Sequence, residues 1–96
     1  MEIRWTKKAA KELVAAIKYI KKDSPQNAVM VFDKIHELAD SLPTFPEKYP
    51  VEPHIKNSNV RFAVLWNIKL IYAIRTDSIS IVRVFPTRRN PKKLKP

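Results

Sequence analysis

Apolar residues recur every third or fourth position through the first half of the chain and every second position through much of the second half. Ala9, Leu13, Ala16, Ile17 and Ile20 mark one face of an amphipathic helix. The spacing predicts a helix over 7–22, whose other faces carry Lys8, Lys11, Lys18, Lys21 and Lys22 and read most simply as solvated. Asp23-Ser24-Pro25 supplies a break and a restart. The Ser24 hydroxyl suits a helix cap, and Pro25 suits the first helical position, where its missing N–H would have had no partner. Ala28, Val31, Phe32, Ile35, Leu38, Ala39 and Leu42 then form a second stripe, predicting a helix over 25–42 that Pro43 ends. So short a link makes the pair an antiparallel hairpin.

Residues 43–59 carry four prolines and no helical period, and read as a connecting loop. From Val60 the period becomes two. Val60, Phe62, Val64 and Trp66 alternate with Arg61, Ala63, Leu65 and Asn67, predicting a strand over 60–67. A second strand is expected over 68–75, with Ile68, Leu70, Tyr72 and Ile74 opposed to Lys69, Ile71, Ala73 and Arg75. Thr76-Asp77-Ser78 makes a turn, and a third strand follows over 79–85, with Ile79, Ile81 and Phe85 on one face and Val82 and Val84 on the other. The chain has no glycine, so the turn near Asn67 falls to a residue that tolerates a left-handed backbone. Ile3 and Trp5 alternate within Glu2–Thr6, which suits a short N-terminal edge strand. The fold class is α+β: an N-terminal helix hairpin packed on a small, mainly antiparallel β-sheet. A basic tail over 86–96 follows, and Pro86 and Pro91 are expected to hold the segment between them off the ladder.

Composition adds a charge to this plan. Ninety-six residues suit one domain, spanning 1–96. There is no cysteine, hence no disulfide or thiolate metal site, and His54 in the loop has no carboxylate or second histidine at metal-ligand spacing. No cofactor or metal is expected. The N-terminal MEIRWTKKAAKEL is polar where a secretory signal would be apolar, and no run approaches a membrane span. A cytoplasmic location and no membrane partner are the expectation. The net charge is +10. Residues 1–60 hold ten Lys/Arg against eight Asp/Glu, whereas 61–96 hold nine against Asp77 alone, so the C-terminal third carries the field and suggests a polyanionic partner.

The order of these pieces resembles the RelE/ParE superfamily of toxins from type II toxin–antitoxin modules. The resemblance rests on the Ser24-Pro25-Gln26-Asn27-Ala28 joint, the exit at Leu42-Pro43 followed by Pro46, the strand pair bearing Arg61, Lys69 and Tyr72, and the ending Arg83-Val84-Phe85-Pro86-Thr87-Arg88-Arg89-Asn90-Pro91. It spans nearly the whole chain. It implies a growth-inhibiting toxin, linked to plasmid stabilisation, that a cognate antitoxin masks by wrapping the helices and the sheet. It implies one of two cellular targets: DNA gyrase, or the ribosome with its mRNA.

The residues weigh between these branches. A RelE-like mRNA endoribonuclease needs cations for the phosphate together with an acid and a base. Arg61, Lys69 and Arg88 are the candidate catalytic cations, but the acid–base pair is wanting. The family's tyrosine or histidine near the C-terminus is replaced by Phe85-Pro86, and nothing beyond Tyr72 supplies one. The histidines, His36 and His54, lie on the second helix and in the proline-rich loop. A ParE-like, gyrase-directed or otherwise non-nucleolytic toxin is therefore the leading reading. A nucleic-acid-binding module without toxicity is the remaining alternative. The expected nucleic-acid or target-binding residues are Arg61, Lys69, Arg83, Arg88, Arg89, Lys92 and Lys93, with Arg61 and Lys69 sharing a sheet face if their strands pair about Asn67. Tyr72 reads as core with its hydroxyl at the rim, His36 as a boundary residue, and Trp5 and Trp66 as packing residues.

Overall fold

A computed structural model describes residues 1–87. Strand β1 (Glu2–Trp5) leads into helix α1 (Lys7–Asp23), helix α2 (Pro25–Ser41), and strands β2 (Val60–Leu65), β3 (Ile68–Ile74) and β4 (Ser78–Pro86). The caps explain the helix boundaries. Thr6 Oγ1 accepts from the Ala9 N–H to start α1, and Ser24 Oγ accepts from the Asn27 N–H to start α2, with Pro25 in the first helical position. Ser24 also donates its own N–H to Ile20 O, so one residue closes the first helix and opens the second.

The strands form one mixed sheet in the order β1-β4-β3-β2. β2/β3 and β3/β4 are antiparallel, and β1 joins β4 in parallel, so the N-terminal segment is an edge strand as its alternation suggested. The helix hairpin lies over one face. Ile35, Leu70, Tyr72, Ile79, Ile81 and Val84 are sealed there with Leu13 of α1 and Val31 of α2, and Ala9, Ala16 and Ala39 are the small residues that let helices and sheet approach. The opposite face carries a smaller apolar cluster of Val60, Ile71 and Ala73, bordered by Phe62, Val82 and Phe85.

Strand β4 departs from simple alternation. Its register against β3 shifts between Ile71 and Tyr72, where a β-bulge leaves Val82 outside the paired positions. The extra residue reverses the facing of everything beyond it. Ile79, Ile81 and Val84 therefore share the helix-covered core, and Phe85 turns to the opposite face with Val82, correcting the grouping that alternation predicts. Pro86 still lies in the ladder, opposite Ile68, one residue past the expected end of the strand at 85, and the strand ends there; of the segment expected off the ladder, residues 88–90 lie outside the described residues.

The outer edge of β2 is not left open. Residues 50–52 run alongside it: the Phe62 N–H donates to Pro50 O, the Glu52 N–H donates to Val60 O, and Val51 bridges to Arg61. The proline-rich loop thus closes an edge that would otherwise present free donors and acceptors. Phe32 is the exception within the α2 stripe. It is 43 % exposed and stands against the His36 ring at 4.4 Å, with Trp5 on that ring's other partner contact at 5.3 Å. His36 Nδ1 shares a hydrogen bond with Phe32 O. It is a boundary residue, and the apolar period overstated the width of the buried face by one position.

Candidate target-binding face

The sheet cations are placed by the register. Arg61 pairs with Tyr72, and Lys69 pairs with Val64. Since facing alternates along each strand, Arg61 lies on the helix-covered side with Tyr72, while Lys69 lies on the opposite side with Phe62 and Phe85. The shared face that a pairing about Asn67 suggests is not formed, because the turn consumes Trp66 as well as Asn67.

Lys69 stands in a small polar island on the open face. Its Nζ is 2.7 Å from Oε1 of Glu52, which is 1 % exposed, and it lies 4.5 Å from the centre of the Phe62 ring. Glu52 Oε2 also accepts from the His54 N–H at 3.0 Å. Burial pushes the Glu52 carboxyl pKa up, but the hydrogen bond and charge of Lys69, with the His54 N–H, outweigh it and hold the group below its ordinary value of 4.5. The carboxylate is ionised at neutral pH and neutralises the lysine beside it.

Arg61 is spent on the loop. Its Nη1 donates to Tyr49 O at 2.7 Å and to Glu47 O at 3.1 Å, while Nε is buried without a partner. Tyr72 works beside it, donating its hydroxyl to Pro46 O at 2.6 Å. Burial raises the Tyr72 pKa above its ordinary value, and the Arg61 charge opposes the rise without cancelling it. The phenol therefore stays protonated at neutral pH and serves as a donor. Three carbonyls of the proline-rich loop are thus held by two side chains of the sheet. Arg61→Ala should lower stability by about 1.5–3 kcal/mol, the usual worth of hydrogen bonds to a charged donor. Urea unfolding of wild type and variant measures it, and an unchanged midpoint would contradict the loop-holding role.

Arg83 faces α1. Its Nε and Nη2 make a forked pair with the Glu12 carboxylate at 2.9–3.1 Å, and Glu12 Oε1 also accepts the Val84 N–H at 2.9 Å. The physical reason is the short length of β1. The ladder beside β4 ends with the Thr6 N–H on Ile81 O, and the helix carboxylate takes the next free donor. Arg88, Arg89, Lys92 and Lys93 lie outside the described residues.

The β2–β3 turn presents a different surface. Trp66 and Asn67 have φ of 56° and 75°, the positive pair of a tight two-residue hairpin. Asn tolerates that region, but a tryptophan held there costs about 1–2 kcal/mol. Its indole is 47 % exposed, at the rim of a cleft of about 340 Å³ whose opposite wall is the α1–α2 joint at Ile20, Asp23 and Asn27. Thr87 donates its N–H and its hydroxyl to Asn67 O, so the chain leaves β4 beside this rim. Trp66 was expected as a packing residue within a strand. A link of two residues without glycine was the available signal that one bulky side chain would be forced outward. Glu12 and Glu52 had no such signal, since each meets its cation only through tertiary structure.

Among the described residues no cluster of His, Asp or Glu could hold a metal ion, and no helix is long and apolar enough to cross a membrane. The family model described as "ParE toxin of type II toxin-antitoxin system, parDE" matches residues 3–91. The chain belongs to the ParE toxin family. A solved structure titled "Chromosomal ParDE TA system from P. aeruginosa" is similar to it, at 25 % identity and a TM-score of 0.72, covering 90 % of this chain and 95 % of that one. No curated protein matches. As a ParE-family toxin of a type II system, the chain has a cognate antitoxin as its implied partner. The α+β architecture is consistent with the fold of this family, and the resemblance to the RelE/ParE toxins holds at the level of the family model and the structural match.

Proposed function

We propose that this ParE-family toxin arrests growth by binding DNA gyrase in the cytoplasm, without a covalent step of its own, and that its antitoxin neutralises it by covering the binding face. The observation that carries the reading is the engagement of the sheet cations. Lys69 is matched to Glu52, Arg83 to Glu12 and Arg61 to loop carbonyls, whereas a ribonuclease needs its cations turned toward a scissile phosphate beside a proton acceptor. Tyr72, the strand partner of Arg61, is buried and donating to the loop.

In this reading Arg61, Lys69 and Arg83 shape the surface, and target contact falls to the Trp66 turn with Arg88, Arg89, Lys92 and Lys93, which follow Thr87 in sequence. The strain at Trp66 supports it, since a costly backbone that exposes an indole is a feature packing alone does not require. Purified chain should inhibit gyrase supercoiling and leave mRNA intact in a translation extract. Cleaved mRNA with unaffected supercoiling would sink the proposal in favour of the RelE-like endoribonuclease. Trp66→Gly should change stability by less than about 1 kcal/mol, as relief of strain offsets the added freedom of the unfolded chain, while growth inhibition falls at least tenfold. Full toxicity in that variant would remove the turn from the target-binding surface.

A further inference from the structure

The charge on α1 is organised in a way the fold does not call for. At about 100° per residue, Lys7, Lys11, Lys18, Lys21 and Lys22 fall within an arc of about 100° on the side away from Ala9, Leu13 and Ala16, which are buried. All five are exposed, and among the described residues none is within ion-pair distance of a carboxylate. Glu12, the acid nearest them in mid-helix, faces Arg83. The row runs about 22 Å from Lys7 to Lys22, a length over which duplex DNA carries about 13 phosphate charges.

Local helix physics opposes most of this arrangement. Lys7 sits at the positive end of the helix dipole, where the first turn has no acid, and Lys7–Lys11 and Lys18–Lys22 are like-charge pairs at i, i+4, while only Lys21 and Lys22, in the last turn, gain from the dipole. A sequence that keeps this self-repulsion along the length of the helix points to a use outside the fold.

We propose that the lysine row of α1 is a phosphate-tracking surface for double-stranded DNA, distinct from the Trp66 face and independent of the gyrase reading. The chemistry of the row selects the partner. Val14 is the one exposed apolar residue along it, so it lacks the buried anchors of a protein interface and the apolar flank of a membrane-surface helix, whose counterpart here is packed on the sheet. Within the arc there is no amide to read a base and no aromatic to stack one, since Tyr19 lies about 60° beyond Lys22 and lines the cleft with Trp66, so the row fits a continuous line of backbone charge, not single-stranded RNA.

The test uses the full chain, a labelled 20-base-pair duplex of mixed sequence and fluorescence anisotropy between 50 and 200 mM salt. Lys7→Gln/Lys11→Gln/Lys18→Gln should reduce the slope of log K against log salt by about 2.7, at about 0.9 per lost contact, and weaken binding at 50 mM salt at least tenfold. Lys34→Gln/Lys48→Gln, which removes two lysines elsewhere, should leave the slope within 0.5 of wild type, on the order of half a contact. Circular dichroism should show the triple variant folded, since glutamine is a good helix former. A slope change below about 1 would overturn the proposal and assign DNA binding to the basic residues beyond Thr87. Equal affinity and slope for a poly-glutamate peptide or for single-stranded RNA would overturn it too, as would absence of duplex binding at the lowest salt. Loss of gyrase inhibition with the slope unchanged would count against it as well, separating its failure from that of the gyrase reading.

Discussion

Lys69→Met will destabilise the protein by about 3–5 kcal/mol, more than its position on the open face of the sheet would suggest, because it strands Glu52 as a buried charge. The carboxylate is 1 % exposed, and the loop that carries it is tied to β2 on both sides, so it has no path to water without breaking the Glu52 N–H bond to Val60 O. Glu52→Gln/Lys69→Met should recover most of the loss, as a neutral amide keeps the acceptor for the His54 N–H and methionine keeps the contact with Phe62. Chemical denaturation of the two variants side by side gives the comparison. A double variant as unstable as the single one would show that the lysine acts through packing and not through charge.

The same pair sets an acid limit. The folded Glu52 carboxyl titrates below 4.5, so folding favours its ionised form. Its contribution is present in full above that value and is lost as the pH falls through the folded value. Wild type should lose stability on acidification below about pH 4.5, whereas Glu52→Gln/Lys69→Met should show a flatter profile over the same interval.

Glu12→Ala is expected to cost about 2–4 kcal/mol. The variant removes a forked pair with Arg83 and leaves the Val84 N–H without a partner next to the core, and the unmade donor is the larger part of the loss. Glu12→Gln separates the two contributions: it keeps an acceptor for Val84 and gives up only the charge, so about half of the stability should return. Amide exchange at Val84 checks the local account, with protection lost in the alanine variant and kept in the glutamine one. Equal protection in both would mean that the ladder beyond Ile81 does not depend on the helix carboxylate.

These residues explain where reading the chain alone stopped. Both helices, their Ser24-Pro25 joint, the three C-terminal strands and the N-terminal edge strand follow from period and capping chemistry, which act over three or four residues and are written in the chain itself. Facing within β4 was not legible, because a single bulged residue reverses parity and nothing local marks Val82 as that residue. The cations of the site were legible as residue types and not as roles. Arg61 and Lys69 look alike in a strand pair, yet one holds loop carbonyls under the sheet and the other neutralises a buried carboxylate above it.

The helix hairpin, the strand set, the basic charge and the family are legible in the chain, since local periodicity and residue order suffice for these. That Glu52 meets Lys69, that Glu12 completes the edge of β4, that Trp66 is turned out at a left-handed turn, and that Arg61 and Lys69 face opposite ways emerges from the folded chain alone. Each depends on register and on contacts between residues distant in the chain, and register is set by the packing of whole elements.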